Sequence, residues 1–411
     1  MVGLVMNNVR AAKLAAFAYL AHGERADLQT LMDHAKMERL LRWLDEAGVA
    51  LYLSHECDRR GHKGSLPAEW RAALDGRRER NRNRVTAMLA EFHKVVEALS
   101  TSQITFAVVK GFSLQPEFCS SFDLRHHIDT DLLVTPTHID GATETLLKLG
   151  YKKAAAEDFG EIRFFKGHPA IPATAQDDLY TARPESRVEI HTSLFESRTY
   201  TPFSLAENWQ SEIRHKELGQ VRFPTISEPD AFMLHVLHAF QHLAAGWLRL
   251  SWLFEIANFI ESRRMDDHLW KLVAGRVASE QRCAHAFGLI LQETSMLFGT
   301  KMPAPLAGKL IDPLPAILRK WNQDYAVKVL LSDFGSPSRH FQLVHGHFFR
   351  NSADRRRFIT AIWRSRAKLL ASFIKRPNLL SKGILRQLDA WAHWLIWQVR
   401  SGYMSIQRSG S

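Results

Sequence analysis

The sequence predicts an α+β protein in which a small mixed β-sheet lies between two helical regions of the chain. Apolar residues between positions 85 and 99 recur at the three- and four-residue spacing of a helix. Short β-branched runs follow, ITFAVVKG at 104–111 and DTDLLV at 129–134, and such runs are typical of buried strands. From residue 227 onward the pattern is helical again almost to the end of the chain. The predicted order is therefore helices, a sheet with its own helices, and helices again.

The region before the sheet is predicted to be helical with one interruption. An apolar face indicates helices over residues 7–53, with Asp27 as an N-cap residue. The polar run 54–66 contains two glycines and predicts a loop. A long helix is then expected from about Pro67 to Leu99.

The sheet region alternates strands with short helices. Residues 112–125 are expected to hold a short helix and a loop, and a helix after residue 134 is expected to end at Gly150. Two more strands are predicted at 162–167 and 187–194, separated by a proline-containing loop.

Composition excludes several classes of protein. Hydrophobic residues make up 46% and charged residues 24% of the 411 positions, which is close to globular averages and excludes a disordered or collagen-like chain. The three cysteines lie far apart, which argues against a disulfide framework and against a cysteine-based zinc site. No apolar run reaches the roughly 18 residues that span a bilayer. We therefore expect a cytoplasmic protein of bacterial type.

Positive charge is concentrated in two places. The formal net charge is +11, and the segment 339–411 alone carries a net charge of +12, whereas 59–84 carries +6. Basic segments bind nucleic acid, anionic lipid or polyphosphate, or they form solvated helix surfaces. A tryptophan stripe at Trp391, Trp394 and Trp397 favours an ordinary packed helix in the tail, so membrane-surface contact by the tail is not favoured.

Two carboxylates in the second strand indicate a metal site. Asp129 and Asp131 point to the same face of a strand, where they repel one another unless a cation lies between them. Magnesium prefers oxygen ligands and is usually held by one or two carboxylates together with substrate phosphates. Glu189 lies in the apolar run VEIH and would complete a three-carboxylate cluster if its strand lies beside the first. Such a cluster suits phosphoryl transfer with two Mg²⁺ ions.

Basic groups near these acids are candidate phosphate ligands. Lys110 and Gly111 end the first strand, where glycine permits close approach of a phosphate and lysine supplies a compact cation. Arg125 could hold a phosphate bidentately, and His191, on the same strand face as Glu189, could orient a carboxylate or phosphate.

Two histidines on a later helix are candidates for a substrate-facing role. His238 and His242 have the spacing of zinc ligands, but the metalloprotease glutamate is absent between them. A substrate-facing role is therefore preferred over metal binding, and ordinary packing is the competing interpretation.

These segments together resemble a bacterial family of largely uncharacterised nucleotidyltransferases in the DNA polymerase β-like superfamily. The resemblance covers roughly residues 40–265 and rests on VVKG, Arg125, DTDLLV, LLKLGY, VEIH and a later His- and Arg-containing helical run. It implies a nucleotidyltransferase core and the use of NTP and Mg²⁺. Thr130 departs from the family, where an apolar residue is usual, and so does Glu255, where aspartate is usual. Neither departure removes a proposed metal ligand.

The sequence therefore predicts three parts: an N-terminal helical segment (1–100), a nucleotidyltransferase core (101–226) and a C-terminal helical region with a basic tail (227–411). The expected reaction transfers a nucleoside monophosphate from an NTP to an unknown acceptor and releases pyrophosphate, with a small-molecule acceptor favoured over RNA. A metal-dependent glycosyltransferase that uses Asp-x-Asp is a rival interpretation, but the helical pattern of 1–103 argues against its β/α nucleotide-binding half. The same residues are also compatible with a non-catalytic binding protein of this fold and with a toxin-type enzyme that modifies tRNA.

Overall fold

The computed structural model describes residues 2–33, 37–154, 161–167, 179–181, 185–193, 209–331, 340–344 and 347–348. It confirms the predicted α+β class, with a mixed sheet and helices on both sides of it in the chain. Within these residues no helix is both long enough and apolar enough to cross a membrane. The tryptophan stripe and most of the basic tail lie outside the described residues.

Among the described residues, five α-helices precede the sheet. They are α1 (Val2–His22), α2 (Arg25–Asp33), α3 (Met37–Glu46), α4 (Ala50–Arg59) and α5 (Ala68–Thr101). Two predictions are wrong here. Asp27 lies in the first turn of α2 and not at its N-cap, and the loop expected at 54–66 is helical as far as Arg59. The helix continues because this part of the sequence is amphipathic. Cys57 is buried on one face of the helix, and Glu56 forms an ion pair with Arg60 one turn later.

The described strands form one seven-stranded mixed sheet in the order β3-β4-β5-β2-β1-β7-β6. They are β1 (Phe106–Val109), β2 (Thr130–Val134), β3 (Lys152–Lys153), β4 (Glu161–Lys166), β5 (Ser186–His191), β6 (Arg214–Leu218) and β7 (Val221–Thr225). Helix α6 (Ile139–Lys148) follows β2, and Gly150 follows it with a positive φ of 87°. At the centre, β2 pairs antiparallel with β1 and parallel with β5.

The hairpin of β6 and β7 was not predicted. Its first strand, RHKEL, is charged and mostly exposed at the sheet edge, and its second strand contains Pro224. Charged residues are common at sheet edges, and proline is uncommon inside a sheet because it donates no backbone hydrogen bond, so the signal by which a strand is recognised in sequence is weak in both strands. Gly219 adopts a positive φ of 62° in the tight turn between the strands.

The two faces of the sheet pack against different partners. One face joins α5 and α6 in a cluster that includes Phe92, Val108, Leu132, Leu146 and Ile190. The opposite face contributes a smaller cluster: Ala107, Val109, Leu133, Trp209 and Ile226. Residues of β2 and β5 that alternate with the first cluster therefore project toward the second face, where the start of α7 also packs.

Helices follow the sheet. They are α7 (Glu228–Ala245), α8 (Leu250–Ser262), α9 (Asp267–Ala278), α10 (Gln281–Phe298), α11 (Ala304–Leu306), α12 (Ala316–Trp321) and α13 (Val327–Leu330), with π-helical turns at Ala307–Ile311 and Asn322–Ala326. The largest hydrophobic cluster contains residues of both α1–α4 and α7–α10. The N-terminal helices therefore share a core with the C-terminal helices. The division of the chain at residues 100 and 226 stays a prediction.

Candidate active site at the centre of the sheet

The central strands bring the predicted carboxylates to one face of the sheet. In the register of the sheet, Asp131 lies opposite Val109 of β1 and opposite Glu189 of β5. Side chains at paired positions of adjacent strands project to the same face, so Glu189 lies on the side of Asp131 and not on the far side of the sheet. Asp129 directly precedes the first residue of β2, and the alternation of the extended chain directs it to this face too.

Asp131 is held by two basic side chains. Its Oδ1 atom lies 3.0 Å from Lys110 Nζ, which donates a hydrogen bond, and 2.8 Å from His191 Nε2. The side chain is buried. Burial by itself would raise the pKa of Asp131, but Lys110 and His191 outweigh this effect and hold the pKa well below its usual range. Asp131 is therefore an ionised carboxylate in a fixed position.

The pKa values of Asp129 and Glu189 are shifted in the opposite direction. Burial, together with the negative charges of Asp131 and Glu189, raises the pKa of Asp129 to about 7. Burial and the charge of Asp131 also raise the pKa of Glu189. Burial and mutual repulsion thus disfavour the ionised forms of Asp129 and Glu189, and a bound cation would relieve the repulsion.

The donor atoms fit a metal ion. One ligand atom each from Asp131, Glu189 and His191 lie within 4.8 Å of one another, so these three side chains could hold a metal. Asp129, which the sequence predicted as a member of this cluster, is not among these three side chains, although the charges of Asp131 and Glu189 act on it. The carboxylate oxygens suit a hard cation such as Mg²⁺.

Lys110 reaches Asp131 from an unusual backbone conformation. Lys110 has a φ of 55° and a ψ of −156°, a region that residues with a side chain rarely adopt, and Gly111 follows with a φ of 43°. Such conformations cost of order 1–3 kcal/mol and occur mainly where the surrounding structure imposes them, often at functional sites. Ser113 donates a hydrogen bond to the Lys110 carbonyl and stabilises the turn that begins at Gly111.

The sequence interpretation missed two residues on β4. Glu161 Oε1 lies 3.7 Å from His191 Nδ1, and Arg163 Nε lies 3.3 Å from Glu189 Oε1. In the register of the sheet, Glu161 pairs with His191 and Arg163 pairs with Glu189. The run EIRFFK could have indicated these residues, because its opposite charges have i, i+2 spacing and therefore lie on one face of a strand.

Arg125 lies in a buried ion-pair network beside the site. Its Nε donates to Glu255 Oε1 at 2.7 Å and its Nη2 donates to Glu255 Oε2 at 3.2 Å. Tyr52 of α4 also donates to Glu255 at 2.7 Å, and His235 Nε2 of α7 lies 3.0 Å from it. Glu255 therefore connects the N-terminal helices, the segment before β2 and the C-terminal helices at one point.

His238 and His242 lie one turn apart on α7, and the charge of Lys110 acts on both. Their ring centroids are 4.6 Å apart, and both rings contact Trp252 of α8. Burial lowers the pKa of His242 to about 3, with smaller contributions from the positive charges of Arg249 and Lys110. The pKa of His238 is likewise lowered, by burial first and then by His242 and Lys110. Both histidines are neutral at pH 7 and lie within electrostatic range of Lys110.

The fold and the site define a class: α+β proteins with a carboxylate cluster suited to metal binding at the centre of a mixed sheet. Residues 33–299 match the model of a family described as uncharacterised nucleotidyltransferases. This match spans well over half of the 411 residues, and the chain belongs to that family. The resemblance drawn from the sequence is confirmed to this extent. No curated protein and no solved structure matched the chain.

Proposed function

We propose that the protein is a Mg²⁺-dependent nucleotidyltransferase that transfers a nucleoside monophosphate from an NTP to an acceptor hydroxyl or phosphate and releases pyrophosphate. The observation that carries this proposal is the adjacency of Asp131 and Glu189 on neighbouring parallel strands, with Asp129 one residue before β2. Family membership supports nucleotidyl transfer in general. A cytoplasmic location and a place in the DNA polymerase β-like superfamily are part of the same proposal.

The acids and His191 form the proposed metal centre. Asp129, Asp131 and Glu189 would hold two Mg²⁺ ions. The ions would neutralise the triphosphate and polarise the phosphorus atom under attack. Glu189 is in addition the proposed acceptor of the proton from the attacking group, as a carboxylate beside the metal. His191 fixes the orientation of Asp131 through the 2.8 Å contact with Oδ1, and contact with the nucleotide is its further proposed role.

Basic groups at the strand ends would bind the triphosphate. Lys110 lies beside the acids, and the turn that starts at Gly111 exposes backbone without a side chain. Arg125 remains a proposed phosphate ligand, although two of its five N–H groups already bind Glu255. His238 and His242 would face the substrate as neutral groups.

A small molecule is the proposed acceptor. Several basic residues of the segment 59–84 are paired with acids: Arg59 with Glu56, Arg77 with Asp45, Arg78 with Asp58 and Arg82 with Asp123. Paired guanidinium groups release few counterions when they meet nucleic acid, so they contribute little to RNA binding. This pairing supports a small-molecule acceptor over RNA. Membrane contact is not favoured.

The test is incubation of the protein with each labelled NTP and Mg²⁺, with pyrophosphate release and self-labelling as the readouts. Asp131→Asn should reduce turnover by about 10³-fold or more, because the loss of one metal-binding carboxylate removes several kcal/mol of transition-state stabilisation. Mg²⁺ with NTP should also raise the Tm of the wild-type protein, since ligand binding stabilises the native state, and Asp131→Asn should abolish this rise.

Asp140→Asn is the matched control, because Asp140 is an exposed aspartate in the first turn of α6. This variant should retain both turnover and the Tm rise. Equal turnover by Asp131→Asn and the wild type would show that the carboxylate cluster is not the catalytic centre.

A further inference from the structure

Arg249 occupies the corner between α7 and α8. It is the N-cap residue of α8, and its guanidinium carbon lies 5.7 Å from the centre of the Trp252 ring. The turn between α3 and α4 packs against this corner: the Ser251 backbone N–H donates to the Ala47 carbonyl at 3.1 Å, and Gly48 lies close to the Arg249 stem. The turn between α3 and α4 therefore lies against the aliphatic part of the Arg249 side chain.

Arg249 has no carboxylate partner within the described part of the chain. Its Nε atom is shielded from solvent and makes no hydrogen bond, and its one ring contact there is with Trp252. Burial and the positive charge of Arg125 lower the pKa of Arg249, so its environment disfavours the charge. A half-buried guanidinium without an ion-pair partner is costly to the fold and is stabilised when an anion binds.

Arg249 lies within electrostatic range of the proposed active site. The negative charge of Asp129 acts on Arg249, and both Arg249 and Lys110 act on His242. His242 is neutral and lies against Trp252, so the aromatic surroundings of Arg249 supply no negative charge. An anion placed between Lys110 and Arg249 would meet two cations at the edge of the carboxylate cluster.

We propose that Arg249 is a phosphate-binding residue that receives the triphosphate of the NTP substrate. This inference rests on the proposed function. Lys110 forms an ion pair with Asp131 and Arg125 forms one with Glu255, whereas Arg249 forms no ion pair with a described carboxylate and its Nε makes no hydrogen bond. The planar guanidinium group binds phosphate oxygens bidentately. The contact with the Trp252 ring orients the group in the absence of ligand. Of Lys110, Arg125 and Arg249, Arg249 is therefore the one whose charge a bound polyphosphate would stabilise most.

The experiment measures binding of inorganic tripolyphosphate with Mg²⁺ by isothermal titration calorimetry, so the result does not depend on the base or on the acceptor. Arg249→Gln should weaken binding by about tenfold or more, the usual effect of losing a charge-assisted hydrogen bond. Arg249→Lys should retain part of the affinity, because the charge remains while the bidentate geometry is lost. The Tm of unliganded Arg249→Gln should equal or exceed that of the wild type, since the variant removes an unpaired charge.

Arg264→Gln is the control, because Arg264 lies just beyond the opposite end of α8 and is exposed. It should bind tripolyphosphate as the wild type does. Unchanged binding by Arg249→Gln would overturn the inference and leave the proposed function intact. A higher acceptor KM with unchanged tripolyphosphate binding would overturn the assignment to the NTP.

Two further outcomes separate the inference from the proposed function. A wild-type protein that binds no tripolyphosphate overturns the inference, while NTP-dependent pyrophosphate release still decides the function. Tripolyphosphate binding that depends on Arg249, in a protein that releases no pyrophosphate from any NTP, overturns the proposed function and supports the anion site.

Discussion

Two buried carboxylate sites in this protein contain similar residues but differ in charge balance. Glu255 accepts hydrogen bonds from Arg125 and Tyr52 and contacts His235, and these partners keep its pKa at about 2 despite complete burial. At the sheet, Lys110 and His191 both contact Asp131, whereas the pKa values of Asp129 and Glu189 are raised.

This difference separates a structural role from a functional one. A buried charge whose partners satisfy it contributes to the fold, and its main effect appears when one partner is removed. A cluster with uncompensated charge lowers stability, and it persists where a ligand or a reaction requires it. The Glu255 network therefore connects three parts of the chain, whereas cation binding is the proposed role of the sheet acids.

Removal of the Glu255 charge should have the largest effect on stability. Glu255→Gln leaves the Arg125 guanidinium buried without a counter-charge, and this should lower the free energy of unfolding by about 3–5 kcal/mol. The measurement is urea denaturation at pH 7. Tyr52→Phe removes one hydrogen bond to the same carboxylate without unpairing a charge, and it should cost only about 1 kcal/mol. Equal effects of the two variants would contradict the structural role assigned to this ion pair.

Glu293 on α10 extends the comparison to a buried carboxyl group that has no hydrogen-bond partner in the described structure. It is fully buried, neither carboxyl oxygen makes a hydrogen bond, and burial raises its pKa to about 8. Because the folded-state pKa exceeds the unfolded value near 4.5, the associated stability is present below pH 4.5 and is lost as the pH rises through 8. Glu293→Gln should therefore stabilise the protein by on the order of 3 kcal/mol at pH 7 and by almost nothing at pH 4.

Denaturation of Glu293→Gln across this pH range measures the effect. Glu97→Gln, on the exposed face of α5, should show no comparable pH-dependent gain. A constant difference between Glu293→Gln and the wild type from pH 4 to pH 8 would mean that Glu293 does not titrate as its burial implies.

The smallest effect is expected for Asp129 in the absence of metal. Its pKa of about 7 lies above the unfolded value of 3.8, so its contribution to stability is present at low pH and is lost as the pH rises through 7. Asp129→Asn should therefore raise stability in EDTA by about 1 kcal/mol at pH 8, a value reduced for the partial exposure of the site, and should have little effect at pH 4.

Addition of Mg²⁺ separates Asp129 from Glu293. The ion should remove the advantage of Asp129→Asn, because it stabilises the wild-type cluster, and it should leave the effect of Glu293→Gln unchanged. Denaturation with and without Mg²⁺ provides the comparison. A gain for Asp129→Asn that persists in saturating Mg²⁺ would argue against a metal at this cluster.

The parts of the fold that could be predicted from sequence are those with strong periodicity. The apolar runs of β1 and β2 and the long spacing pattern of α5 correspond to elements of the structure. The strands β3, β6 and β7 were not predicted. The strands β3 and β6 are short or charged and lie at the sheet edges, where tertiary pairing creates the strand, and β7 contains a proline.

Some residues of the candidate site could be predicted from the sequence, and others could not. Asp129, Asp131 and Glu189 were chosen by residue type and spacing, and the parallel pairing of β2 with β5 places Asp131 and Glu189 side by side. Glu161 and Arg163 were missed because their importance depends on which strand lies beside β5. A single sequence carries no direct information about that neighbour.

By itself, the sequence determined the fold class, the family and the acidic residues, because periodicity and short motifs are local properties of the chain. Only the tertiary structure decided which charges are compensated. Arg125 and Glu255 are 130 residues apart in the chain, yet they form a buried ion pair, whereas Arg249, only six residues before Glu255, remains unpaired within the described structure. Electrostatic energy depends on distance and burial in space, so charge balance at this site becomes visible only when the helices have packed around the sheet.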